Sequence, residues 1–121
     1  MHALVVDDSK WMRMRLGTFL QEIGLEVSYA GHGQEALDWL KEGKLADLML
    51  VDWNMPVMNG LELVQAVRAN PLLREVRIMM VTSENSLNTV AEALAAGANE
   101  FVMKPFTREV LQEKLALMGI D

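Results

Sequence analysis

Three aspartates, a threonine and a lysine each stand at the end of a short, mostly apolar run in this chain of 121 residues. Asp7 and Asp8 come after Ala3-Leu4-Val5-Val6, and Asp52 comes after Leu48-Met49-Leu50-Val51. Thr82 closes the run from Val76 to Val81, and Lys104 follows the run from Asn99 to Met103. Gathered in one place, the carboxylates would repel one another, each close pair costing roughly a few kcal/mol at an effective dielectric of about 20. Such a cluster calls for a cation or for raised pKa values. An all-oxygen set with few carboxylates suits Mg²⁺, which keeps several waters and shares phosphate oxygens, with Mn²⁺ as a substitute. There is no cysteine and no paired-histidine motif, which disfavours zinc. A carboxylate beside such a cation can attack a phosphoryl group. The cation and the lysine would offset charge on the transferring oxygens, and the hydroxyl could donate a hydrogen bond to the product phosphate. Taken singly, each residue has a blander role: an aspartate after a strand is often a cap or turn residue, Thr82 a helix cap, Lys104 a solvated side chain. The joint pattern carries the chemistry.

That chemistry requires elements that bring the five residues together. The run Ala3–Val6 is continuously apolar, as in a strand buried on both faces. Ser9 can cap a following helix, in which Met12, Leu16, Phe19, Leu20 and Ile23 make one apolar stripe. Gly24 stands at its C-terminus, while Gly17, in mid-helix, should cost up to ~1 kcal/mol with no evident return. Leu25 to Ala30 is a more polar strand, suited to a sheet edge, and Gly31-His32-Gly33 is a turn. Gln34 to Glu42 forms the second helix, with Ala36, Leu37 and Leu40 inward, and Leu48–Val51 the third strand. Trp53–Asn59 is a loop in which Pro56 bars helix, and Gly60–Ala69 the third helix. Val76–Val81 is a strand, Leu87–Ala96 an alanine-rich helix, Asn99–Met103 a short strand. Thr107–Met118 is the last helix, with Val110, Leu111, Leu115 and Met118 inward. Alternating strands and helices imply a parallel sheet covered on both faces. Ligands then bind beyond the carboxyl ends of the strands, where all five residues fall. His2 and His32 read as solvated terminus and turn residues, and the ten methionines mostly as core filler.

The length fits one domain, 1–121, with no linker or repeat. At 51% hydrophobic and 23% charged the composition is globular. A net charge of −6 argues against a nucleic-acid surface and against docking on an anionic membrane. No apolar run approaches the ~20 residues needed to cross a bilayer, and a cytoplasmic location is expected.

Beyond these derivations, the sequence resembles the receiver domain of two-component response regulators. The matching segments are Leu4-Val5-Val6-Asp7-Asp8-Ser9, Val51-Asp52-Trp53-Asn54-Met55-Pro56, Asn59-Gly60, Val81-Thr82-Ser83, Ala95-Ala96-Gly97-Ala98 and Lys104-Pro105-Phe106, spanning almost the whole chain in order. Arg13 also fits the family. The resemblance implies a flavodoxin-like, doubly wound sheet of order 2-1-3-4-5. It implies that Asp52 is the phosphoacceptor, charged by a sensor histidine kinase, a phosphotransfer protein or a small phosphodonor. Asp8 and Asp52 would hold Mg²⁺ with the backbone carbonyl of Asn54, Asp7 acting through water. Lys104 would pair with the phosphoryl group, Thr82 would move toward it, and Phe101 would be the switch aromatic. Asn54 and Glu84 occupy the positions that tune dephosphorylation, and the Lys104–Pro105 peptide is expected to be cis. Trp53-Asn54-Met55-Pro56 with Glu84 points among receivers to the CheY-like chemotaxis group. Output is expected through an unidentified protein on the face built by the last two helices and the fifth strand. Trp11, off the first helix's stripe, is expected as a partly buried edge residue, the alternative being a contact for a phosphodonor.

Two rivals are set against this switch. An aspartyl-phosphate phosphatase usually shows Asp-x-Asp after the first strand and a cap insertion, whereas this chain has Asp7-Asp8-Ser9 and no room for a cap. A receiver excised from a hybrid kinase or transcription factor would look the same within these residues. The expected activity is self-phosphorylation and autodephosphorylation only, not turnover of a substrate.

Overall fold

The computed structural model describes residues 1–83 and 87–120. Five strands, β1 (His2–Val6), β2 (Glu26–Ala30), β3 (Leu48–Asp52), β4 (Arg77–Thr82) and β5 (Glu100–Met103), alternate with five α-helices. The helices are α1 (Lys10–Glu22), α2 (Gly33–Lys41), α3 (Gly60–Arg68), α4 (Leu87–Ala96) and α5 (Arg108–Leu117), and a 3₁₀ turn at Pro71–Leu73 precedes β4. All strand pairs are parallel, in the order β2-β1-β3-β4-β5. This is the doubly wound order expected from the sequence.

Burial follows the two-residue period of the strands. Ala3, Val5, Leu48 and Leu50 face a core shared with Leu16, Phe19 and Leu20 of α1 and Leu111 and Leu115 of α5. Leu4, Val6, Met49 and Val51 face the opposite core, with Ala36 and Leu40 of α2, Leu63, Val64 and Val67 of α3 and Ala93 of α4. β1 and β3 are therefore apolar at every inner position, while β2, at the sheet edge, is mostly half-exposed. No helix among the described residues is long and apolar enough to cross a membrane.

Caps fix where the helices begin. Ser9 accepts from the Met12 N–H at 3.2 Å, and Asn59 and Glu62 form a reciprocal capping box at α3. His32 is not a solvated turn residue: its Nδ1 accepts from the Glu35 N–H at 3.1 Å and caps α2. Nor is His2 merely solvated, since its Nε2 lies 2.8 Å from Ser28 Oγ and its ring 5.5 Å from that of Trp39. Gly17 acquires its reason here as well. The Tyr29 side chain lies against it, and a Cβ at this position would collide with the tyrosine Oη. Val110 departs from expectation, being 39% exposed, because the inward stripe of α5 runs through Leu111 and Leu115 at i, i+4.

Val57, in the loop after β3, has φ of 69° and is 78% exposed. A β-branched side chain in the left-handed region is strained, and the position has no packing to offset the strain. Val57→Asn is expected to raise stability by about 1 kcal/mol, read as a higher urea midpoint with unchanged slope. An equal or lower midpoint would show the loop to be relaxed.

Candidate functional site

The carboxyl ends of β1, β3, β4 and β5 meet at one end of the sheet. Asp7 follows β1 directly, and Asp52 and Thr82 are the last residues of β3 and β4. All three are buried, at 1%, 7% and 2% exposure, among otherwise apolar residues. Asp8 is exposed beside them. Asp7, Asp8 and Asp52 each offer a carboxylate oxygen, and these atoms lie within 4.8 Å of one another. Lys104, just past β5, reaches in with its Nζ 3.2 Å from Asp7 Oδ2 and 3.4 Å from Asp52 Oδ1. Its backbone N–H donates to the Thr82 carbonyl at 2.8 Å, which ties the ends of β4 and β5 together.

Local structure supports each group. The second Asp7 carboxylate oxygen accepts from the Ser9 N–H at 2.9 Å, so the first turn toward α1 grips the aspartate as α1 begins. Gly60 donates to the Trp53 carbonyl at 2.9 Å, and a Cβ there would strike the Asp52 carbonyl oxygen and come within 2.9 Å of Trp53 Cα. Only glycine allows α3 to start so close behind the β3 end. The Lys104–Pro105 peptide is cis, as expected.

Three carboxylates facing one ammonium leave a surplus of negative charge. The Asp52 carboxyl shows it: burial first, then the Asp7 carboxylate, push its pKa from 3.8 up to about 6, with Asp8 adding and Lys104 opposing. This all-oxygen, charge-deficient set fits a hard divalent cation.

Of the residues expected at the site, Asp7, Asp8, Asp52 and Lys104 come together, and Thr82 lies beside them through its backbone contact with Lys104. Asn54 is exposed in the loop directly after Asp52. Phe101 is partly buried on β5, with Lys114 Nζ 4.9 Å from its ring centroid. Glu84 lies outside the described residues. Two residues singled out in the sequence make contacts that it did not specify. Arg13 donates from Nη1 to the Asp7 carbonyl at 2.6 Å. Trp11 is not a partly buried edge residue but 66% exposed, since it points away from the stripe that α1 buries. It lines an open groove of about 410 Å³ between α1 and α5, with Met14, Phe19, Phe106 and Arg108, and Arg15 stacks over both Trp11 and Phe106.

Comparison with known proteins places this geometry in a family. The response regulator receiver domain model matches residues 3–116. The chain is 44% identical to the chemotaxis protein CheY1 of Helicobacter pylori over 119 residues, 98% of this chain and 96% of that protein. It is 47% identical to a chemotaxis protein CheY homolog of Campylobacter jejuni over 116 residues, 95% and 89% of the two chains. A crystal structure of Vibrio cholerae chemotaxis protein CheY4 superposes with a TM-score of 0.88 at 38% identity, covering 96% of each chain. The converging strand ends, the sheet order and these matches agree: the chain belongs to the response regulator receiver domain family of two-component signalling.

Proposed function

We propose that the chain is a phosphoacceptor switch in which Asp52 takes a phosphoryl group in a Mg²⁺-dependent reaction. The observation that carries this reading is the convergence of Asp7, Asp8 and Asp52 on one ammonium, Lys104. Asp8 and Asp52, with the Asn54 carbonyl, would hold Mg²⁺ directly, and Asp7 through water; Mn²⁺ would serve in its place. When bound, the cation neutralises charge on phosphoryl oxygens.

The chain's own groups supply the rest. With its pKa at about 6, Asp52 is largely ionised at neutral pH and can act as nucleophile. Its oxygen forms the new bond to phosphorus as the phosphorus–nitrogen bond of a phosphohistidine, or the phosphorus–oxygen bond of acetyl phosphate, breaks. Lys104, already poised at Asp52, offsets charge on the transferred oxygens. The Thr82 hydroxyl donates to the product, and Phe101 responds to that movement. Asn54 and Glu84 tune the loss of the group. Each chain is charged once per cycle, with self-phosphorylation and autodephosphorylation as its only chemistry.

Donors are a sensor histidine kinase, a phosphotransfer protein or a small phosphodonor, and the output protein meets the α4–β5–α5 face through a population shift. The names of the Helicobacter, Campylobacter and Vibrio relatives support a role in chemotaxis, and a cytoplasmic location goes with that reading. The test is intact mass after incubation with acetyl phosphate: one phosphoryl group with Mg²⁺ and none with chelator. A fast-turning phosphatase would release phosphate continuously without an accumulating adduct.

The exposed groove on α1 supports a protein donor docking beside Trp11. Trp11→Ala is expected to slow transfer from a phosphohistidine protein about 10-fold, the loss of one aromatic anchor, and to leave the rate with acetyl phosphate unchanged. Equal slowing with both donors would refute the docking role.

A further inference from the structure

Asp7 is held at every polar atom. Its N–H donates to the Ala30 carbonyl at 3.1 Å, one carboxylate oxygen accepts from Ser9 and the other from Lys104. The carbonyl is the exception to ordinary sheet pairing. β1 and β2 run in register only as far as Val6 and Ala30. At Gly31 the chain turns away, and His32 begins to cap α2. A carbonyl on the β2 side of Asp7 would next accept from a β2 N–H two residues beyond Ala30, and that residue has left the sheet. Asp7 is almost wholly buried, so its carbonyl needs another donor. Arg13 supplies it, reaching back from the first turns of α1 with a bond of 2.6 Å. No carboxylate lies within ion-pair distance of the Arg13 guanidinium among the described residues.

The next residue is Asp8. Among the described residues its carboxylate makes no hydrogen bond or ion pair. Its place in the cluster depends on the backbone that carries it, and the Asp7 carbonyl belongs to the peptide that joins the two aspartates. We propose that Arg13 is a positioning residue for the cation site: by holding the Asp7 carbonyl it fixes the Asp7–Asp8 peptide, and with it the direction of the Asp8 carboxylate. The inference rests on the metal-dependent function proposed above. It assigns Arg13 a task that filling a carbonyl's hydrogen-bonding need would not by itself require.

The test is calorimetric titration of the intact protein with MgCl₂ alone, without phosphodonor. Arg13→Met keeps the aliphatic stem and loses the donors. It is expected to weaken Mg²⁺ binding about 10-fold, the lower range for outer-shell substitutions at metal sites, and Arg13→Lys to stay within about 3-fold of wild type. Lys10→Ala removes a cation from the same helix, where Lys10 is exposed, and should leave the affinity unchanged. Near-ultraviolet circular dichroism verifies folding; if Arg13→Met does not fold, Arg13→Gln, whose amide sits on a shorter stem, replaces it with the same expected loss. A variant that melts earlier but binds Mg²⁺ as wild type does overturns the positioning role, as does Arg13→Lys binding as weakly as Arg13→Met. Wild-type protein that binds no Mg²⁺ overturns the metal site itself and this inference with it.

Discussion

Asp52→Asn should take up no phosphoryl group under conditions in which the wild-type chain takes up one. The substitution keeps the shape of the side chain and its place at the end of β3, but an amide oxygen is a poor nucleophile and brings no charge to a cation. Asp7 and Asp8 remain, and Lys104 keeps its contact with Asp7 Oδ2, so the pocket survives and only the acceptor is lost. The loss should be complete, and intact mass after acetyl phosphate treatment with Mg²⁺ reads it directly. A phosphoryl group on the variant would move the acceptor to Asp7 or Asp8. That would contradict the buried position of Asp52 between Lys104 and the other carboxylates.

The same substitution should make the protein more stable at neutral pH in the absence of divalent cations. The folded chain holds the Asp52 proton up to a pH of about 6, against 3.8 for an unperturbed carboxyl. Between these values the folded state binds more protons than the unfolded one, so the Asp52 contribution to stability falls as pH rises. Above the folded pKa the penalty is fully present. A shift of this size corresponds to about 3 kcal/mol, which solvent reaching the exposed Asp8 side reduces to about 2 kcal/mol. Asp52→Asn has no such penalty. Urea unfolding in chelator should therefore show the variant ahead by about that much at pH 8, the gap shrinking below pH 6 and closing near 3.8. Equal midpoints at pH 8, or a gap that widens in acid, would mean that the Asp52 carboxylate is not penalised by its burial and the neighbouring Asp7.

The elements that position this site were legible where burial is two-sided or periodic. Ala3–Val6 and Leu48–Val51 announced β1 and β3 because a strand covered by helices on both faces has no polar positions. Met12, Leu16, Phe19 and Leu20 announced the buried face of α1 for the same reason at helical spacing. What sequence could not show depends on what lies opposite. Gly17 is explained only by Tyr29 arriving from β2. His32 caps α2 with a ring nitrogen, a role its turn-like neighbours concealed. Val110 was expected inward and Trp11 at a partly buried edge, yet α5 turns Leu111 and Leu115 to the core and α1 leaves Trp11 exposed. At the site, the carboxylates and Lys104 could be expected from the strand ends. The role of Arg13 could not, because it depends on the exact residue at which β2 leaves the sheet.

The contact between Lys104 and Asp7 joins residues 97 positions apart. The pocket draws on four strand ends distributed along most of the chain, so no short contiguous fragment contains it. Loop-closure entropy makes such distant pairings slow to form compared with the local turns of the helices. A partly folded chain with its helices in place and β5 still undocked would lack the ammonium that the carboxylates share. On the proposed function, competence as a phosphoryl acceptor would mark completed tertiary assembly: a nascent or misfolded copy would be silent in signalling rather than falsely active.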